Sequence, residues 1–181
     1  DPDIAYAHTC LDFGRPEVRK ERLGVIEEAC DRYGMDGIEI DDYVRVFFKR
    51  SEVEKNTPVL TDFVREVRAV LDQIGKKRGE RLCLAVRADL SEEANLSIGM
   101  DVRTWLSEGL LDIVVPHVSR ALTDTNLDLG WLATAAREGG AWVYARIGAF
   151  PYDDRHHRTT IEMYRAASLN YRAAGADGIY M

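Results

Sequence analysis

Five short stretches of one kind recur along the chain, and their spacing restricts the fold more than any other feature. They are Gly37 to Asp41 (GIEID), Leu82 to Arg87 (LCLAVR), Asp112 to Pro116 (DIVVP), Trp142 to Ile147 (WVYARI) and Asp177 to Met181 (DGIYM). Each reads as a strand, and they return at intervals of about 30–45 residues with helical patterns between them, which demands parallel pairing through right-handed crossovers. Two architectures meet that demand: an open doubly wound sheet, or a sheet closed into a barrel.

The intervening stretches carry helix signals. Pro16 to Gly34 places Val18, Val25, Ile26, Ala29, Cys30 and Tyr33 on one stripe, with a proline near its start and a glycine at its stop. Thr57-Pro58 opens a second helix, with Leu60, Phe63, Val64, Val67, Leu71 and Ile74 at helical spacing, closing near Gly75. Asp101 caps a short helix bearing Val102, Trp105 and Leu106. Asn126 or Asp128 starts another, with Leu132, Ala135 and Ala136, ending at Gly139-Gly140. Thr159 and Glu162 have the spacing of a capping box before a helix with Met163, Ala166, Ala167 and Ala174.

The strand residues choose between the two architectures. A parallel strand buried on both faces is a near-continuous aliphatic run. Here Ile38 and Ile40 alternate with Glu39 and Asp41, Leu82, Leu84 and Val86 with Cys83, Ala85 and Arg87, and Val143, Ala145 and Ile147 with Trp142, Tyr144 and Arg146. Aliphatics facing a ring of helices and polar groups facing a lumen give that alternation. The first βα turn also lacks the glycine-rich phosphate loop of a nucleotide-binding open sheet. The expected fold is therefore an α/β (β/α)8 TIM barrel, of which residues 1–181 supply roughly the C-terminal five or six strands as one incomplete domain. Ile4 to Ala7 is a candidate for the sixth. The chain opens on Asp1-Pro2-Asp3 and stops inside an apolar strand, so it is expected to be part of a longer protein. On its own it is not expected to fold to a closed barrel, because lumen and edge strands would stand open.

Composition narrows the partners. Twenty-four basic against 31 acidic residues give a net charge of −7, so bulk charge offers no argument for binding nucleic acid or a membrane surface, and neither is an expected partner. No apolar run of membrane-spanning length and no signal peptide occurs in the sequence. The three cysteines, Cys10, Cys30 and Cys83, have no metal-ligand spacing and read as free thiols. No cofactor is implied, and oligomeric state is not legible.

In a barrel, chemistry sits at the C-terminal ends of the strands. Those positions hold Asp41, Asp42 and Tyr43 with Arg45 beyond, then Arg87 and Asp89, then His117, then Arg146. Two carboxyl groups across a glycosidic bond, one acid and one base or nucleophile, are what its hydrolysis needs. Tyr43, Phe47 and Phe48 suit stacking on sugar rings. Each position also has a structural reading. Asp41 and Asp42 suit loop capping or pairing with Arg45, Arg87 an ion pair with Glu39, and His117 a hydrogen-bonded rim residue. The run Asp153 to Arg158 reads as a solvated loop, and Trp105 and Trp131 as core.

The string DGIEIDDY at Asp36 to Tyr43 resembles the strand motif Asp-Gly-Ile-x-Leu-Asp-Asp-Tyr of the family-10-like, glycosyl-hydrolase-like TIM-barrel proteins. TPVLTDFVREVR, GMDVRTWLSEGLLDIVVP and ADGIYM resemble segments that follow it there, so the likeness runs from about Pro16 to Met181. Glu39 stands where the motif often has histidine, and Val44-Arg45 replace an aromatic-Pro pair. The resemblance implies a barrel whose first strands precede this chain, often in secreted or envelope-associated bacterial proteins. It implies Asp41 and Asp42 as the motif's strand-end aspartates.

These readings give an expected glycoside hydrolase acting on a polysaccharide or oligosaccharide, with Asp41 and Asp89 catalytic. Asp42, Tyr43, Arg45, Arg87, His117 and Arg146 would bind substrate. The alternatives are a non-catalytic carbohydrate-binding barrel, a lyase, or a metal-dependent isomerase ligated by Asp41, Asp89 and His117.

Overall fold

In the computed structural model, which describes residues 10–41, 47–117, 127–148 and 160–181 (of His117, the backbone alone), all five stretches form strands. Along the chain come α1 (Pro16–Asp31), β1 (Gly37–Ile40), a 3-10 turn (Arg50–Glu52), α2 (Val53–Arg78), β2 (Cys83–Asp89), α3 (Glu92–Leu96) and α4 (Val102–Ser107). Then follow β3 (Ile113–His117), α5 (Gly130–Gly139), β4 (Trp142–Arg146), α6 (Ile161–Ala173) and β5 (Gly178–Tyr180). The strands form one five-stranded sheet in the order β1-β2-β3-β4-β5, and every adjacent pair is parallel. Sequential order with helical connections is what repeated βα units produce.

The register separates the two faces as the alternation predicts. Ile38 opposes Leu84, Ile40 opposes Val86, Val86 opposes Val114, and Val114 opposes Val143. Leu84, Val86, Ala88, Val114, Val143 and Ala145 are buried in one core with helix residues Val64, Leu71, Trp105, Leu132 and Ala167. Trp105 Nε1 donates to Thr61 Oγ1 at 2.9 Å, so its one polar atom is satisfied within that core. The other face carries Glu39, Ala85, Arg87, Val115, Tyr144, Arg146 and Tyr180.

The sheet is strongly curled toward this second face. In a flat sheet the first and fifth strands would lie about 19 Å apart, four interstrand steps, farther than two side chains can bridge. Yet Tyr180 Oη on β5 donates to Glu39 Oε1 on β1 at 3.3 Å. The polar face is therefore concave and the helices cover the convex one.

At the N-terminal ends of the strands, aspartates that precede one strand reach back to its neighbour. Asp112 Oδ2 accepts Leu84 N–H at 2.8 Å, and Asp177 Oδ2 accepts Val143 N–H at 2.8 Å. Asp112 also holds Arg68, a guanidinium buried on α2, at 2.9 Å and Arg81 at 2.5 Å.

Several boundaries differ from expectation. The second helix begins at Val53, a turn before Thr57-Pro58, and Thr57 Oγ1 returns to Val53 O at 2.9 Å. Pro58 therefore sits inside the helix, where its missing N–H leaves the Glu54 carbonyl without its helical donor. The same helix passes through Gly75 and stops at Gly79, which takes the left-handed conformation at φ 75°. Gly75 instead marks a close approach: a Cβ there would collide with Glu80 O. The cap of α6 is Thr160, whose Oγ1 accepts Met163 N–H, while Thr159 and Asn126 lie outside the described residues. On α1, Cys30 is buried but Val25 is exposed, and Tyr33, just past the end of the helix, is exposed as well. None of the three cysteines is in a disulfide, and burial pushes the Cys30 and Cys83 thiols up.

The α3–α4 corner, which follows β2, is clamped by Glu92, which accepts from Arg103 Nε at 2.5 Å and Nη2 at 2.6 Å. That hydrogen bonding lowers the Glu92 carboxyl from its ordinary value of 4.5. A depressed carboxyl contributes stability that is present above 4.5 and lost as pH falls through its folded value. Because both side chains are substantially exposed, Glu92→Gln is expected to cost only a few tenths of a kcal/mol at neutral pH, a cost that shrinks as pH falls below 4.5. Urea midpoints of the two proteins at pH 7 and through a series below 4.5 check this; a difference that does not shrink as pH falls contradicts it.

Candidate functional site

On the concave face, side chains from β1, β2 and β5 meet around Arg87. Its Nη1 donates to Asp41 Oδ2 at 3.0 Å and its Nη2 to Tyr180 Oη at 2.7 Å. Its Nε lies 2.9 Å from Glu39 Oε1, an ion-pair contact rather than an aligned hydrogen bond. The guanidinium also lies over the Tyr180 ring, 5.1 Å from its centroid. Burial works against the charge on Arg87, but the Tyr180 phenol and the two carboxylates outweigh it, and its pKa rises.

Strand geometry explains the convergence. Glu39 and Asp41 are two residues apart on β1 and its extension, so they share a face. Ile40 pairs with Val86, which brings Arg87 alongside Asp41. Tyr180 arrives through the curl of the sheet. One guanidinium touching both carboxylates keeps their bound oxygens within roughly 8 Å of each other, two hydrogen-bond lengths and one guanidinium edge. That limit falls among the carboxylate separations of glycosidases.

Asp89 has a different setting. It ends β2 opposite His117 of β3, and its Oδ1 accepts Ser91 N–H at 2.9 Å, a turn cap. Its backbone N–H and C=O are both held by the Asn95 side chain, at 2.8 and 2.9 Å. Arg146 ends β4 opposite Tyr180, on the concave face and partly buried. Asp42, Tyr43 and Arg45 lie outside the described residues, as do the run 153–158, Ile4 to Ala7 and the His117 side chain. Of the expected aromatics, Phe48 is not on the rim: it is 4% exposed and belongs to the core. Phe47 packs edge-on against Phe13, ring centroids 5.5 Å apart.

A cavity of ≈ 490 Å³ adjoins the carboxylates. Leu11, Phe13, Ile26 and Phe63 line it together with Ile38, Ile40, Glu39 and Asp41 of the first strand. It joins an apolar wall to two acids at the outer edge of β1. Sequence reasoning placed no cavity there, since Leu11 and Phe13 precede the first helix in a stretch without periodicity. Among the described residues, no three His, Cys, Asp or Glu side chains converge as a metal site, and no helix is long and apolar enough to cross a membrane.

The sequence matches no family model and no curated protein.

Proposed function

We propose that this chain is part of a (β/α)8 barrel that acts on a polysaccharide or oligosaccharide by carboxylate acid/base chemistry. Contact between the first and fifth strands supports the barrel, since in an eight-stranded closure they would stand opposite each other. Inward side chains of alternate strands share a layer there, as Glu39 and Tyr180 do. The observation that carries the activity is the pair Glu39 and Asp41, two acids gathered on one arginine at the C-terminal ends of parallel strands. Asp41, at the strand end beside the cavity, serves as acid/base or nucleophile. Glu39, which shares Arg87 with Asp41, is its partner rather than Asp89, whose carboxylate caps a turn.

A screen of glycan hydrolysis, wild type beside Asp41→Asn, tests the proposal. Wild type is expected to release products, and the variant to lose roughly 10²–10⁴-fold in rate while keeping its melting behaviour. Hydrolysis that survives in Asp41→Asn removes that residue from the chemistry.

One observation favours the runner-up, a binding barrel without catalysis. Arg87 pairs with both carboxylates at once, so each is already engaged by a structural ion pair on the concave face. Glycan binding without cleavage, equal in both proteins, would select it.

A further inference from the structure

Arg146 differs from the other strand-end arginine. Arg87 has its counter-charges: two carboxylates and a phenol surround it. Arg146 lies on the same concave face, partly buried, and among the described residues no hydrogen bond, ion pair or ring contact engages its guanidinium. Its register neighbour Tyr180 does not serve it, because that hydroxyl accepts from Arg87 and donates to Glu39. A guanidinium withdrawn in part from water without a counter-charge is disfavoured unless something anionic meets it.

We infer that Arg146 is an anion subsite and that the substrate of the concave face is an acid-bearing saccharide, its carboxylate seated on Arg146 and its hydroxyls toward Glu39 and Asp41. This rests on the carbohydrate reading above. Guanidinium and carboxylate match in a planar, two-bonded fork, which a neutral sugar hydroxyl does not reproduce. The net charge of −7 opposes a long polyanion. At physiological ionic strength, however, charges beyond about 8 Å are screened, so a single acid group feels Arg146 more than the distant surface. Glu39 and Asp41 with Arg87 leave one negative charge in excess, which keeps the acid off that side of the site and fixes the direction in which the sugar lies.

Binding is to be measured calorimetrically for neutral hexose oligosaccharides and for uronate-bearing ones of equal length, with wild type, Arg146→Gln and Arg146→Lys. Wild type is expected to prefer the acidic set by about 10- to 100-fold, the range of a charge-assisted hydrogen bond. The preference should weaken with added salt, shrink in Arg146→Lys and fall to about one in Arg146→Gln. Equal affinity for the two sets in wild type overturns the inference, as does a preference that survives in Arg146→Gln. If no saccharide of either kind binds, the carbohydrate reading fails separately, and titration with acetate and inorganic phosphate decides the rest. Anion binding lost in Arg146→Gln retains the subsite for a different acidic ligand; no anion binding removes it.

Discussion

Asp112→Ala is expected to destabilise the fold by about 3–5 kcal/mol, the cost of stripping a buried charge of its partner. Arg68 is 5% exposed, and the loss of Asp112 leaves it only Asp72 and Leu82 O. Leu84 N–H loses its acceptor at the start of the sheet, an unmet donor that accounts for about 1–3 kcal/mol of the total. Asp112→Asn keeps an acceptor for Leu84 but not the charge, and is expected to fall between alanine and wild type. Urea unfolding of the two variants and of Arg68→Met/Asp112→Ala checks the assignment. The double variant should recover part of the loss, because no buried guanidinium that has lost one of its two carboxylates remains. A loss below about 1 kcal/mol for Asp112→Ala would mean that water reaches Arg68 and the network is peripheral.

The existence of that network was only half visible in the sequence. Asp36, Asp112 and Asp177 each stand immediately before a strand, a repetition plain in MDGIEI, LLDIVVP and ADGIYM. What Asp112 and Asp177 do depends on register, since each carboxylate reaches the backbone of the neighbouring strand, about 30 residues away. The alternating strand faces were legible because a period of two is a local property, and the structure separates Ile38 and Leu84 from Glu39 and Arg87 as that period requires. Helix ends were less so. Pro58 looked like a first-turn residue because proline favours that position, yet the turn before it, Val53 to Asn56, is helical as well. Nor does periodicity guarantee burial: Val25 shares a stripe with Cys30 but remains exposed on α1, and Tyr33, on the same expected stripe, falls past the end of the helix and is exposed.

The candidate site divides in the same way. Glu39 and Arg87 occupy the polar parity of adjacent strands, so their pairing could be read as one alternative, and it occurs. Tyr180 was passed over, although it has the polar parity of its strand. Its contact with Arg87 spans 93 positions and depends on the curl of the whole sheet, a property of no local window. The signal that could have found it is the register partner Arg146, already singled out at the end of the preceding strand. Asp89 has a second use that the sequence only hints at: a carboxylate at a strand end suggested chemistry, and Ser91 two residues later donates its N–H to that carboxylate, as in a turn cap.

Arg87→Met is the substitution from which the largest functional loss is expected. It leaves Glu39 and Asp41 facing the same space without the cation that gathers them, and it frees the Tyr180 hydroxyl. The fold should lose about 2 kcal/mol, less than for a fully buried pair because the carboxylates are 27% and 37% exposed. The effect on activity should be greater, roughly 10²-fold or more in kcat, since a displacement of about 1 Å in a reacting group has that consequence. Arg87→Lys separates the two effects. A lysine restores a positive charge but meets the carboxylates as a point, without the planar fork that spans both of them. It is therefore expected to recover most of the stability and little of the kcat. If lysine restores both together, Arg87 acts only as a counter-charge. If Arg87→Met cleaves glycans at the wild-type rate, the two carboxylates do not work as a positioned pair, and Asp41 must find its partner on another strand.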